Sequence, residues 1–333
     1  MRRVRLIIAA VLAGLCLYMA YRAGVFEPIC RSIAEIPEGG WLFRSDPAFA
    51  DTAVSASEES IPPDMDIPSE TPSPAPDTSS DEPTVMPTTI SGGLCIRNAS
   101  SYSVDVTELM NEGLSLRLSE SEPQILIIHT HSSEAYTQAG LDRYEESSDY
   151  RTQDAEHNVQ RVGDELCGIF EKYGLNVIHD KGVYDYPSYT GSYDRSGEAV
   201  RSYLEKYPSI SVVIDLHRDA LGTNDVTFKT IATEEGVCAS QIMLLAGSDD
   251  SGLEHPYWRE NLKLALYLQN AVVSEYPSLM RPVQLVSYRY NQHLTRGSLI
   301  LEVGSNGNTL QEALAAIRLF GEAAGKALSE LIE

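Results

Sequence analysis

The chain has 333 residues, 43% of them apolar, which is enough to bury a sizeable core in one large domain or two average ones. Its formal net charge of -23 excludes nucleic-acid binding by bulk electrostatics, because no basic field is present to release counterions from phosphates. Its five cysteines, at 16, 30, 95, 167 and 238, have neither paired nor CxxC spacing, which argues against a disulfide framework and against a zinc ribbon.

Arg2, Arg3 and Arg5 precede an uncharged stretch from Leu6 to Tyr21, closed by Arg22. A basic front before an apolar segment is a secretory signal or a signal anchor. No clean small-x-small cleavage site follows, so a retained single-pass anchor over 1–23 is expected, with the bulk of the chain outside the cytoplasm. Between Asp46 and Glu82 there are ten acidic residues and no Lys or Arg, among dense Pro and Ser. Such composition cannot offset its ordering entropy, so 24–93 is expected to be a disordered extracytoplasmic linker.

From residue 94 the pattern becomes globular. Leu94-Cys95-Ile96 is strand-like and Val106–Glu112 helical. A strand follows at 124–129. A helix runs from about Asp154, with Val159, Val162, Leu166, Phe170 and Tyr173 at three- and four-residue spacing. Gly174 stops that helix before a strand at 175–178. Ser196–Tyr207 is helical and 210–216 a strand. Residues 225–232 and 239–246 read as a pair of strands. Trp258–Tyr276 is a helix, 282–288 and 298–303 are strands, and Thr309–Ile332 closes the chain as a helix. The alternation predicts an α/β domain over 94–333, a mixed, mostly parallel sheet flanked by helices.

Chemistry-bearing residues stand where apolar strands run out. Ile125–Ile128 leads into His129-Thr130-His131, Val212–Leu216 into His217, and Ser298–Leu301 into Glu302. In open α/β sheets ligands bind beyond the carboxyl ends of such strands. Two or three imidazoles and a carboxylate delivered to one rim point to a metal-centred hydrolytic site. Asp215 or Asp219, each two residues from His217, is placed to accept its second N–H. A carboxylate such as Glu302, ending an apolar strand, is costly to desolvate without a cation or hydrogen bonds. Two acids compete for the third ligand position: Glu134 in the loop and Glu156 at the helix start. Arg218 orients a carboxylate or stabilises an oxyanion, or forms a structural salt bridge. The tyrosine-rich stretch 184–193, with His255 and Trp258, is a candidate groove lining.

His131, then Glu156-His157-Asn158-Val159, Asp215-Leu216-His217 and Leu301-Glu302-Val303-Gly304 resemble the motifs of the zinc-dependent N-acetylmuramoyl-L-alanine amidases. Longer motifs resemble more specifically the stage II sporulation protein P family. They are His129-Thr130-His131-Ser132-Ser133-Glu134-Ala135-Tyr136, Arg161–Leu166, Asp215–Ala220, Trp258–Leu262 and Tyr290-Asn291-Gln292. The resemblance covers about 95–333 and implies an amidase-like fold with zinc held by a strand-end His, a Glu and His217. It also implies that Glu302 is the catalytic general base. The activity implied is peptidoglycan amidase, with cross-link endopeptidase activity beside it, at the septal membrane of sporulating cells during engulfment. The partners implied are peptidoglycan, the lytic transglycosylase stage II sporulation protein D and a membrane scaffold. One departure is that Ile128-His129-Thr130-His131 replaces an Asp-Pro-Gly-His type sequence. This leaves open which histidine binds metal, and whether Glu134 or Glu156 joins it. The rival from another class is a non-catalytic peptidoglycan-binding scaffold with a degenerate site. A serine hydrolase is disfavoured, since no Gly-x-Ser-x-Gly elbow occurs.

Overall fold

The computed structural model describes residues 88–91, 94–120, 123–222 and 227–333. The expected anchor over 1–23 lies outside them, as does the expected linker except for Thr88–Ser91. Among the described residues no helix is long and apolar enough to cross a membrane. Thr88–Ser91 is strand β1, paired antiparallel with β2 (Leu94–Asn98), so a strand lies within the stretch read as linker.

The main sheet has eight strands, adding β3 (Ile125–Ile128), β4 (Val177–His179), β5 (Val212–Asp219), β8 (Ile242–Gly247), β9 (Val283–Val286) and β10 (Ser298–Ser305). Their order is β1-β2-β9-β8-β10-β5-β3-β4, and five of the seven neighbouring pairs are parallel. The mixed, mostly parallel sheet agrees with the alternation of elements in the sequence.

The expected pairing of 225–232 with 239–246 does not form. Instead β6 (Ala232–Glu234) and β7 (Val237–Ala239) make a separate hairpin. Its turn residues Glu235 and Gly236 both take positive φ, the geometry that matches strand twist in a two-residue hairpin. β8 is buried along its whole length and goes to the interior of the main sheet, where an apolar run without alternation belongs.

The helices are α1 (Val106–Glu112), α2 (Val159–Lys172), α3 (Ser192–Lys206), α4 (Trp258–Glu275) and α5 (Leu310–Ser329). α2 starts later than the expected Asp154. Asn158 is its N-cap, its side chain accepting from Gln160 N at 2.9 Å, and Asp154–His157 is a turn. Asn is a far better cap than a helix-interior residue, so apolar periodicity overruns the true start. Gly174, at φ 77, ends the helix as expected. α5 begins with a reciprocal capping box between Thr309 and Glu312.

Period-two alternation divides the sheet between two cores. Ile125, Ile127, Val212, Ile214, Leu216, Leu299 and Leu301 face the large core built with α2, α4 and α5. Leu126, Ile128 and Val213 face a smaller one against Val200 of α3. Asp215, His217 and Asp219 alternate with Leu216 and so fall on the α3 side, as Ile300 and Glu302 do on β10. That side, beyond the edge of α3, holds the site.

Candidate active site

His217 and Glu302 are register partners on the parallel neighbours β5 and β10, so both strands deliver their polar residue to the same rim. His131 lies in the tight turn after β3, where Glu134 N donates to His131 O at 3.1 Å. The turn folds Glu134 back under His131. Glu134 Oε1 is 3.6 Å from His131 Nδ1, and its Oε2 is 3.3 Å from His217 Nδ1. The three residues are buried and offer donor atoms all within 4.8 Å of one another. Two atoms bound at ~2.0–2.1 Å to one tetrahedral ion stand about 3.3 Å apart, so the set fits zinc, whose usual ligands are these residue types.

What surrounds the set also fits. His217 Nε2 lies 2.8 Å from Asp215 Oδ1, an ion-pair contact outside hydrogen-bond alignment whose charge still favours a proton on Nε2 and leaves Nδ1 as the ring's lone-pair donor. Asp215 is itself held by the Thr130 amide (2.8 Å) and hydroxyl (2.7 Å). Burial pushes the His217 imidazole down, but Asp215 and Glu134 outweigh it and hold the ring well above the ordinary histidine value. Burial pushes Glu134 up, but His131, His217 and Arg218 reverse this and hold the carboxyl well below its usual range. A metal therefore competes with a proton for His217 Nδ1.

Glu302 differs. Burial, reinforced by Asp219, pushes its carboxyl up to about 8, and among the described residues its Oε2 has no hydrogen-bond partner. It lines a cleft of roughly 200 Å³ together with His131, Glu134 and His217. Two acids thus share one cleft, one kept ionised by cations and the other kept protonated near neutrality. That divergence marks acid/base roles.

The other residues named from the sequence are placed as follows. His129 is fully buried away from the cleft, its Nδ1 2.8 Å from Leu216 O and its Nε2 2.8 Å from His179 Nε2. Glu156 is exposed in the turn before α2, so its expected place at the helix start is corrected; the cap at Asn158 leaves it outside the helix. Arg218 donates to the Ala135, Tyr150 and Asp219 carbonyls, and its backbone N–H donates to Glu134 Oε2. Among the described residues no carboxylate salt bridge is seen at its guanidinium; it acts as a brace for the loop carrying Glu134. Asp219 pairs with Arg281 at 2.7 Å and leaves the His217 contact to Asp215. His255 is buried against His293, and Trp258 stacks on Tyr102, so neither lines the cleft.

The tyrosine-rich stretch does reach the cleft. Tyr189 stacks on His131 with ring centroids 4.5 Å apart, and Tyr193, in the first turn of α3, approaches it edge-on at 5.5 Å. Asp185 anchors the segment by accepting from Ser132, Ser133 and Arg151. Arg151 and Arg281 went unnoticed in the sequence, since a single arginine in a polar loop carries no pattern.

In this layered α/β protein two imidazoles and a carboxylate converge at the strand-end rim, a set that could hold a metal ion, with a raised acid beside them. The stage II sporulation protein P family model matches residues 54–324, and the chain belongs to that family. Stage II sporulation protein P of Bacillus subtilis (strain 168) is 29% identical over 217 residues, which cover 60% of this chain and 50% of that protein. The chain therefore spans about half the length of the curated relative it matches. Similar solved structures include the N-acetylmuramoyl-L-alanine amidase AmiC2 of Nostoc punctiforme, at 12% identity and TM-score 0.37, covering 63% of this chain and 97% of that one. Another is the CwlD amidase from Clostridioides difficile in complex with the GerS lipoprotein, at 13% identity and TM-score 0.36, covering 62% and 94%. Both scores are below 0.5, and the assignment rests on the family match.

Proposed function

We propose that the chain is a zinc-dependent peptidoglycan hydrolase that cleaves the amide between the lactyl group of muramic acid and L-alanine during septal wall remodelling in sporulation. The observation that carries this reading is the convergence of His131, Glu134 and His217 in one cleft beside a half-buried Glu302 whose Oε2 has no hydrogen-bond partner among the described residues. Family membership supports the sporulation setting.

In this reading His131, Glu134 and His217 hold the metal. Zinc bound there supplies Lewis acidity and a water whose pKa falls to about 7. Asp215 keeps His217 in the tautomer that ligates, and Arg218 braces Glu134. With a cation held by the neighbouring ligands, Glu302 would be ionised; it would take the proton of the attacking water and return it to the leaving amine. Tyr189 packs on His131 and excludes solvent from one side of the cleft. The Leu6–Tyr21 stretch anchors the chain in the membrane, with its peptidoglycan substrate on the far side, beside stage II sporulation protein D and a membrane scaffold.

The test is zinc content together with mass spectrometry of products released from purified peptidoglycan by the full chain in detergent. Stoichiometric zinc and stem peptides with a free L-alanine amino terminus are expected. Opened cross-links would add endopeptidase activity. Binding to sacculi with no zinc and no release would make the chain a scaffold.

A further inference from the structure

The corner between β9 and β10 is built at a conformational cost that the proposed mechanism does not use. Tyr290 (φ 44) and Asn291 (φ 62) both sit in the left-handed region, which is unfavourable for any residue with a Cβ and especially for an aromatic one. The corner is locked from both sides. Asn291 Nδ2 donates to Tyr193 O at 2.7 Å and to Ser196 Oγ at 3.3 Å. Gly197 lies beneath that amide, where a Cβ would come within 2.8 Å of Oδ1. Gly247 at the end of β8 lets the Tyr288 carbonyl rest directly on its backbone. Gln292 then accepts from Gly247 N at 2.7 Å and donates to Leu245 O at 3.0 Å. Strain fixed this firmly presents something, and what it presents is a pair of tyrosines.

Those tyrosines begin a continuous run of rings that ends at the metal-ligand set. Tyr288, 48% exposed, contacts Tyr290 at 6.2 Å between centroids. Tyr290 contacts Tyr193 at 5.4 Å, and Tyr193 contacts His131 at 5.5 Å. The two arginines that line the cleft are committed elsewhere: Arg151 to Asp185 and Arg218 to backbone carbonyls. This wall is therefore not built to receive an anionic peptide. It offers flat apolar faces and phenolic hydroxyls, which suit a neutral pyranose ring with one apolar face and polar edges.

We infer that Tyr288 and Tyr290 form a saccharide-stacking subsite that seats the glycan strand next to the scissile amide. The inference rests on the amidase reading above, because only there does a sugar flank the bond to be cut. Tyr288 is the outer contact and Tyr290 the inner one, and Asn291 is a positioning residue that holds the corner.

The experiment uses the full chain and, as probe, peptide-free glycan strands of alternating N-acetylglucosamine and N-acetylmuramic acid, which an amidase cannot cut. Binding is measured by titration calorimetry for wild type, Tyr288→Ala, Tyr290→Ala, Tyr290→Phe and Tyr290→Gly. The alanine variants are each expected to weaken binding about tenfold or more, while Tyr290→Phe stays within about threefold. On sacculi the alanine variants raise KM more than they lower kcat, with zinc content unchanged. Tyr290→Gly separates function from folding: both variants lose the ring, but glycine tolerates the positive φ and alanine does not, so this variant should melt no lower than Tyr290→Ala yet bind strands as poorly. Tyrosine-dependent strand binding without stem-peptide release would uphold the subsite and sink the amidase reading. Stem-peptide release with strand binding that is absent, or indifferent to both alanine substitutions, would overturn the subsite alone.

Discussion

Two clusters of histidine and acid lie on opposite sides of β3, and they have nearly the same composition. On the cleft side are His131, His217 and Glu134, with Asp215 behind. On the α2 side are His129, His179 and Asp164. In the second cluster every ring nitrogen is engaged. His129 bridges Leu216 O and His179, and His179 Nδ1 lies 3.0 Å from Asp164 Oδ1. Gly163 of α2 leaves room for this, since a Cβ there would lie 2.6 Å from His179 Nε2. In the first cluster only one nitrogen of His217 is occupied by Asp215, and the remaining donors face one another across a shared volume. A chain of imidazoles closed on itself holds strands together. A set with converging lone pairs has room for a cation.

The largest effect that sharpens this contrast is expected for His217→Ala, which removes a ligand in every version of the site. It should abolish zinc retention, read by metal analysis, and reduce stem-peptide release to background. His131→Ala is expected to lose zinc as well. His129→Ala should keep zinc near stoichiometric while lowering stability by about 2–3 kcal/mol, because it leaves a cavity and an unpaired Leu216 carbonyl. If His129→Ala loses zinc and His131→Ala does not, the contrast between the clusters is wrong.

Glu302→Gln keeps the shape of the side chain but cannot accept a proton. The rate should drop about 10²–10⁴-fold with zinc and peptidoglycan binding retained. The same variant has a stability signature in the metal-free protein. Because the folded-state pKa of Glu302 is raised to about 8, the folded state holds an extra proton between the ordinary glutamate range and that value. Its favourable contribution is present at low pH and lost as pH rises toward 8. Glu302→Gln should therefore raise Tm relative to wild type at pH 8 and change it little at pH 4. An equal Tm difference at both pH values would contradict the raised pKa.

A smaller effect is expected for Asp219→Asn. Burial is the main cause of the raised Glu302 pKa and Asp219 adds to it, so removing that charge moves the acid limb of the pH–rate profile to lower pH. Freeing Arg281 from its pairing acts in the same direction, so a shift to higher pH would contradict this account of the Glu302 environment. The smallest effect separates the two acids that compete in the sequence. Glu134→Gln should weaken zinc by at least tenfold, whereas Glu156→Gln, at an exposed position, should leave zinc affinity and turnover within about twofold of wild type.

The protonation of His255 and His293 is a separate, structural matter. Burial lowers both to about 4, and both ring nitrogens of His255 and the Nδ1 of His293 have no partner among the described residues. The unfolded chain takes up these protons first, so below about pH 6.5 this pair lowers stability progressively until the folded-state values are reached.

Local sequence determined the elements whose signals are local. Continuous apolar runs at 125–128, 212–216 and 298–301 are buried strands, because only a sheet covered on both faces tolerates them. Apolar spacing of three and four placed α2, and Gly174 and Thr309 marked a helix end and a helix start. The rim position of His131, His217 and Glu302 followed from where those runs stop. Tertiary structure decided what depends on direction. Whether His129 or His131 faces the cleft turns on which side of β3 each falls and on α2 bringing Gly163 against one of them. Whether Glu134 or Glu156 meets the imidazoles turns on a tight loop and on a cap at Asn158, neither of which hydrophobic period reports. β8 left its expected partner for the main sheet because its burial is satisfied only there. At the strained corner Asn291 is the one local hint, since Asn tolerates a positive φ; the room that Gly197 and Gly247 leave for it comes from far away in sequence, and a non-local contact is what a linear pattern cannot encode.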